Sequence, residues 1–223
     1  MEKKYDNILT VILVIAIAAT LILTGFWIYD TYTKNKVDKD ALAAIEEFNN
    51  QIAQNQQNII EEPEEDLVEE PTEQEETPSN NNSGNSSSSG SKYKNFTILG
   101  EIQIPKTKVK YPVLQEITPK ALNVAVSKLY GPGLNEVGNT VIIGHNNRNG
   151  LFFSNNKKLN NGDLIYITDL NGNTITYVIY NKYETTDTDT DYMTRDTNGA
   201  REISLSTCTD KADKRIIIWA KEQ

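Results

Sequence analysis

Apolar positions along the chain follow three different rhythms. From Ile8 to Tyr29 they run almost unbroken, 22 residues without a charge. At about 1.5 Å of rise per residue, that run spans a bilayer core of ~30 Å as a helix. From Val37 through Leu42, Ile45, Phe48 and Ile52 they recur every three to five residues in a polar background, which predicts an amphipathic helix. After Lys92 they gather into short β-rich runs separated by turn residues: Thr97–Ile104, Val109–Leu114, Thr140–Gly144, Leu164–Thr168, Thr174–Tyr180, Ile203–Cys208 and Arg215–Ala220. Asn171-Gly172 stands between two alternating runs, as a tight hairpin requires. Leu122, Val124, Ala125, Val126 and Leu129 suit a short helix within Pro119–Tyr130. Together the later runs predict an antiparallel β-barrel with small helical insertions.

These rhythms divide the chain into residues 1–30, a transmembrane signal anchor; 31–60, a helical stalk; 61–91, a spacer; and 92–223, a single folded domain. Trp27 and Tyr29 end the apolar run where amphipathic rings favour the membrane–water interface. Ala16-Ile17-Ala18 has the small-residue look of a cleavage site, yet it lies inside the run with more apolar residues after it, which favours an uncleaved anchor over a signal peptide. Lys3 and Lys4 on one side are matched by Lys34, Lys36 and Lys39 on the other, so the lysine count alone leaves the topology open. In the spacer, ten of the sixteen residues from Glu61 to Glu76 are acidic, and Asn80–Ser91 is Asn, Ser and Gly. Such a composition buries too little apolar surface to order itself. A coil of this length reaches roughly 30 Å, which predicts a domain held away from the bilayer on a flexible tether.

Charge sharpens the division. The net charge of −9 is the sum of −12 over residues 1–91 and +3 over residues 92–223. The acidity therefore belongs to the anchor and spacer. Basic residues in the domain are scattered without aromatic interleaving, so no nucleic-acid footprint is present. One Cys and one His exclude an intramolecular disulfide and a Cys/His zinc site.

The same two residues carry the candidate chemistry. His145 follows Val141-Ile142-Ile143-Gly144 and precedes Asn146-Asn147-Arg148-Asn149-Gly150, so it stands where a buried strand emerges into a polar loop, a place that suits either a functional side chain or a plain surface histidine. Along Glu202–Cys208, alternation puts Ile203, Leu205 and Thr207 on one face and Ser204, Ser206 and Cys208 on the other. If residues 209–214 form a loop and the flanking strands pair around it, Cys208 lies opposite Arg215 with both side chains on one face. A guanidinium or imidazolium beside a thiol favours the thiolate, the nucleophilic form. Such a thiolate could attack an amide carbonyl, with His145 protonating the leaving amine and Arg215 stabilising the oxyanion or holding the substrate backbone.

Ser204-Leu205-Ser206-Thr207-Cys208 is similar to the Thr-Leu-x-Thr-Cys signature of sortases, cysteine transpeptidases of Gram-positive cell surfaces. Gly144-His145-Asn146 looks like the family's histidine motif, and Arg215 opens the strand after the cysteine. Ile102-Gln103-Ile104-Pro105-Lys106 with Tyr111-Pro112-Val113 looks like its opening strands. Four ordered motifs over roughly residues 96–221 are far more specific than any one. The resemblance implies a mainly β fold, a closed eight-stranded barrel with short helices, preceded by the transmembrane helix and flexible spacer. It implies Cys208 as nucleophile, His145 as acid/base and Arg215 as support for substrate and oxyanion, with Thr207, Asn146 and Ser206 lining the substrate site. The implied reaction cleaves a C-terminal sorting signal after Thr and passes the protein to an amine of cell-wall precursor or pilin. The N-terminus would lie in the cytoplasm and the domain outside.

Some features narrow the resemblance. Ser204 replaces the usual Thr and keeps the hydroxyl. The histidine motif with Gly150-Leu151-Phe152-Phe153, and Ser206 before Thr207-Cys208, look most like class B sortases, but about eighteen residues separate Tyr183 from Glu202, too few for the long helix of that class. Both an Asn-Pro-type and a Leu-Pro-x-Thr-Gly-type signal fit. In this short loop Asp187, Asp189 and Asp191 resemble the start of a calcium loop, but Tyr192 and Asn198 stand where an EF-hand needs Gly and Glu. A looser calcium site there is weighed against a solvated acidic turn, and no cofactor is required for the chemistry. The rival readings are a cysteine hydrolase of the same fold, which releases the acyl group to water, and a non-catalytic tethered barrel that binds peptide or wall polymer.

Overall fold

A computed structural model describes residues 2–60 and 91–223, with side chains for 7–57 and 91–223. The spacer falls almost wholly outside these residues. One continuous helix, α1 (Glu2–Ile60), contains both the apolar run and the amphipathic stretch. It is long and apolar enough to cross a membrane.

Nine strands follow among the described residues: β1 (Lys92–Tyr93), β2 (Phe96–Ile104), β3 (Val109–Leu114), β4 (Val126–Tyr130), β5 (Gly138–Ile143), β6 (Leu164–Asp169), β7 (Thr174–Thr185), β8 (Arg201–Cys208) and β9 (Arg215–Glu222). The sheet runs β2-β3-β4-β5-β8-β9-β7-β6 and closes through β6 back onto β2, an eight-stranded barrel with β1 as a two-residue addition to β2. Ile102, Ile142, Ile165, Ile167, Leu205 and Ile218 fill its interior.

The barrel differs from the sequence expectation in two respects. β3 with β4, and β5 with β8, pair in parallel, because each pair is joined by a crossover rather than a tight hairpin. The helix expected within Pro119–Tyr130 is only α2 (Pro119–Leu122). Thr118 Oγ1 caps it, accepting from the Ala121 N–H at 3.1 Å, and Pro119 occupies its first turn, where a missing N–H costs nothing. Beyond it the β-branched Val124 and Val126 favour extended backbone, and Val126 pairs with Val113 to begin β4.

The stalk has a partner, and it is the barrel itself. Ala41, Ala44 and Phe48 pack into the same core as Tyr93 and Tyr111, with Val37 and Ile52 beside them. Tyr111 donates its hydroxyl to Asp38, Lys94 pairs with Asp40 at 2.9 Å, and Ser91 bonds Gln51. Gln56 Nε2 donates to the Asn171 carbonyl at 2.9 Å. Gly172, at φ +81° in the β6–β7 hairpin, lies so close that a Cβ would stand 2.8 Å from Ile52 Cγ2. α1 thus reaches the barrel before residue 61, and Ser91 bonds the same helix; the rest of the spacer expected to act as a flexible tether lies outside the described residues.

Candidate active site

β5 and β8 run side by side in parallel, with Ile143 opposite Ser206 as the last register pair. The Gly144 N–H continues the ladder to the Ser206 carbonyl at 3.3 Å, and the Thr207 hydroxyl donates to the Gly144 carbonyl at 2.8 Å. His145 and Cys208 are each two residues beyond that last pair, so both emerge together at one end of the barrel. Gly144 is needed there: a Cβ would meet Phe153 Cδ2 and Val126 Cγ1 at 2.9 Å.

Across the next ladder, Cys208 is in register with Arg215, and the Thr209 N–H to Lys214 carbonyl bond of 2.9 Å closes the loop between them. Arg215 Nη1 donates to Cys208 Sγ at 3.7 Å. His145, Cys208 and Arg215 are all half-buried, reachable yet partly shielded from water. The alternation read from the sequence gives the two faces: Ile203 and Leu205 belong to the barrel core, whereas Cys208 shares the outward face with Ile217, which packs in a second cluster outside the barrel and leaves Ser204 and Ser206 on that face buried as well.

Asn146 ties this corner together. Its Nδ2 donates to the Cys208 carbonyl at 2.9 Å and to Asp210 Oδ1 at 3.0 Å, while its Oδ1 accepts from the Arg148 N–H at 3.1 Å. Asp210 also bonds Lys157, and these two partners, Lys157 first, hold its carboxyl below the ordinary carboxylate range. The Phe153 N–H returns to the His145 carbonyl at 3.1 Å. Phe152 holds φ +51°, an unusual conformation for a bulky residue, and is gripped by the Tyr111 ring at 5.1 Å. Burial and then Asp38 keep the Tyr111 phenol above its ordinary value, so it stays a donor.

Of the residues expected to line the substrate site, Asn146 is partly exposed, but Ser206 and Thr207 are 1% and 2% exposed. Thr207 is spent on Gly144, and Ser206 accepts from the Tyr192 hydroxyl at 3.3 Å. Thr207 thus braces the strand from the barrel side and Ser206 from the outer face.

Sequence reasoning pointed to the short loop after Tyr183 as one wall of the substrate groove, but not to the side chains that hold it. α3 (Asp191–Thr194) seats Tyr192 against Val141 and Ile217, with Met193 and Trp219 alongside. Asn139 Nδ2 donates to the carbonyls of Tyr192 and Met193, each at 2.9 Å. Arg195 is the pin: it pairs with Glu202, donates to Asn139 Oδ1 and to the Tyr180 hydroxyl at 3.0 Å each, and lies 4.8 Å over the Trp219 ring. Burial, then Glu202, push the Tyr180 hydroxyl up to about 12. Ser204 donates to Asn139 Oδ1 at 2.8 Å, so the hydroxyl kept at this position joins the network. The only signal in the sequence was a lone Arg in an acidic, threonine-rich loop. Asp189 in that loop accepts from Thr185 and from the Asp191 N–H. Asp187, Asp189 and Asp191 do not converge, and among the described residues no three His, Cys, Asp or Glu side chains gather as metal ligands would.

A thiol in contact with a guanidinium, with a histidine just past the end of the neighbouring strand at the rim of a closed barrel, suits a cysteine-dependent acyl-transfer enzyme. A family model described as the Sortase domain matches residues 102–223, just over half of the sequence, and the chain belongs to the sortase family, the cysteine transpeptidases. Among solved structures, a lid mutant of sortase A from Corynebacterium diphtheriae is 26% identical with a TM-score of 0.53, over 57% of this chain and 71% of that one. Sortase C-1 from Actinomyces oris, 24% identical with a TM-score of 0.52, is covered over 72% of its length by 56% of this chain. Sortase C1 from Streptococcus suis, also 24% identical at a TM-score of 0.52, is covered over 73% by 56%; these last two likenesses show the fold alone. No curated protein sequence matches the chain. Members of this family act on proteins bearing sorting signals and on amine acceptors such as pilin.

Proposed function

We propose that the protein is a membrane-anchored sortase that cleaves a C-terminal sorting signal after Thr and transfers the protein to an amine of cell-wall precursor or pilin. The observation that carries this reading is the Cys208–Arg215 register pair, with Sγ 3.7 Å from the guanidinium and His145 at the end of the adjoining strand. The Cys208 thiolate attacks the Thr carbonyl carbon, and Arg215 takes up the charge that develops on the oxygen. The C–N bond breaks as His145 gives its proton to the departing amine, which leaves a thioester. In the second half the acceptor amine attacks that thioester, His145 takes the amine proton, and the thiolate departs. Asn146 positions the Cys208 backbone, and Thr207 and Ser206 hold its strand. No step in this scheme uses a cofactor, and no nucleic acid takes part.

Residues 8–29 would hold the enzyme in the cell membrane as a single span, N-terminus in the cytoplasm and barrel outside. The class B-like motifs favour an Asn-Pro-type signal and the short loop between β7 and β8, where α3 has four residues, argues against that class, so Asn-Pro-type and Leu-Pro-x-Thr-Gly-type signals are both candidates. The test incubates the full chain and its Cys208→Ala variant with both peptide types and oligoglycine, read by mass spectrometry. Cleavage after Thr with a Cys208 thioester and transfer to the amine, all absent in the variant, is the expected result and names the signal. Release of free acid alone identifies a hydrolase, and no cleavage with an unreactive Cys208 identifies a binding module.

A further inference from the structure

We infer that α1 fixes the barrel at a set height over the bilayer, with the His145 side low and the β6–β7 hairpin high, so that the thiol works on peptide held close to the membrane surface. This rests on the membrane reading above and adds to it an orientation, which the sequence left to a flexible tether. The helix changes its partner along its length. The large apolar side chains from Ile8 to Tyr29 are 50–71% exposed, whereas Ala41, Ala44, Ile45 and Phe48 are 0–8% exposed against the barrel. No break separates the two parts: the helix is continuous from Glu2 to Ile60, and the first proline of the chain is Pro63, so the usual cause of a sharp kink is missing.

Contacts along a rigid helix set heights. Asp38 stands nine residues past Tyr29, about 14 Å along the axis, and it is Asp38 that receives the Tyr111 hydroxyl. The Tyr111 ring packs on Phe152, whose neighbour Phe153 is bonded to the His145 carbonyl, so the histidine loop belongs to this low level. Gln56, which holds the hairpin at Asn171, is twenty-seven residues past Tyr29, about 40 Å along. A tilt of about 20° shortens both heights and preserves their order. A peptide carried by a protein in the same membrane, with its scissile bond a short distance above the surface, meets the thiol; one displayed far from the surface does not.

The test uses the full chain carrying Cys208→Ala, so that one new cysteine can take a donor dye: Arg148→Cys in the histidine loop or Leu170→Cys in the hairpin. Each is placed in nanodiscs of phosphatidylethanolamine and phosphatidylglycerol with an acceptor on the headgroups. The expected result is energy transfer about twofold or more stronger from position 148, as a ~25 Å offset along the helix requires, and loss of that difference when Phe48→Asp releases the helix. Equal transfer from both positions, stronger transfer from position 170, or a difference that survives Phe48→Asp overturns the inference while the chain still co-elutes with the disc. Failure to co-elute overturns the membrane reading itself, and the inference with it.

Discussion

At the scale of single residues, Arg215 is the group whose role is most open to measurement. Its guanidinium meets the Cys208 sulfur from the facing strand, where in the proposed mechanism charge would develop on the attacked carbonyl. Removing one such donor typically costs about 10²–10³ in kcat. Arg215→Ala should lose that much in kcat with a smaller change in KM, and Arg215→Lys should recover only part, because an ammonium lacks the planar fork of donors; single-turnover peptide cleavage measures both. Asp210 gives a prediction with a definite pH sign. Its carboxyl is held below the ordinary range by Lys157 and Asn146. The stabilisation it gives the loop is therefore complete above the unfolded carboxylate value of about 4, and it fades only as pH falls through the lower folded value. The difference in melting temperature between wild type and Asp210→Asn should be flat at neutral pH and shrink below about pH 4. A difference that vanished between pH 6 and 8 would show that another group governs this loop. The facing of Cys208 and Arg215 was legible in the sequence because alternation and hairpin register are local rules. The internal use of Ser206 and Thr207 was not, because it depends on Tyr192 and Gly144, which come from other parts of the chain.

At the scale of elements, local rules succeeded where strands alternate and failed where pairing is long-range. Seven strands stand where the β-rich runs put them. The eighth, β4, was hidden because Leu122, Val124, Ala125, Val126 and Leu129 satisfy a helical spacing as well as a strand, and only the pairing of Val126 with Val113 decides between them. The parallel pairing of β5 with β8 was equally invisible, since a crossover leaves no turn signature. The wall loop depends on one side chain, Arg195, which together with Glu202 is about nine-tenths removed from solvent. Arg195→Met leaves Glu202 buried without its partner and should destabilise the protein by about 3 kcal/mol, whereas Arg195→Met with Glu202→Leu should regain most of it. Because the loop stands beside the thiol without contributing a reacting group, the single variant should raise KM more than it lowers kcat. Thermal melts and steady-state peptide kinetics test the two halves separately, and a single variant as stable as wild type would remove Arg195 as the pin.

At the scale of the whole molecule, the stalk is part of the fold. A helix that only linked anchor to barrel could be cut away without consequence, and residues 92–223 would then be the complete folding unit. The packing argues otherwise. Phe48 is 2% exposed in the same core as Tyr93 and Tyr111, and Asp38 holds the tyrosine that grips the histidine loop. Burial of a side chain such as Phe48 stabilises by about 1.5–3 kcal/mol, and truncating a buried Phe to Ala costs about 3–5 kcal/mol. Residues 37–223 should therefore melt well above residues 92–223, and Phe48→Ala in the longer fragment should remove most of the gain. Tyr111→Phe in the same fragment loses the bond to Asp38 but keeps the ring on Phe152, so it should cost only about 1 kcal/mol. Equal melting temperatures for the two fragments would mean that the docked helix contributes nothing. A large loss in Tyr111→Phe would move the weight of the contact from Phe48 to the hydroxyl, and with it the means by which α1 steadies the His145 loop.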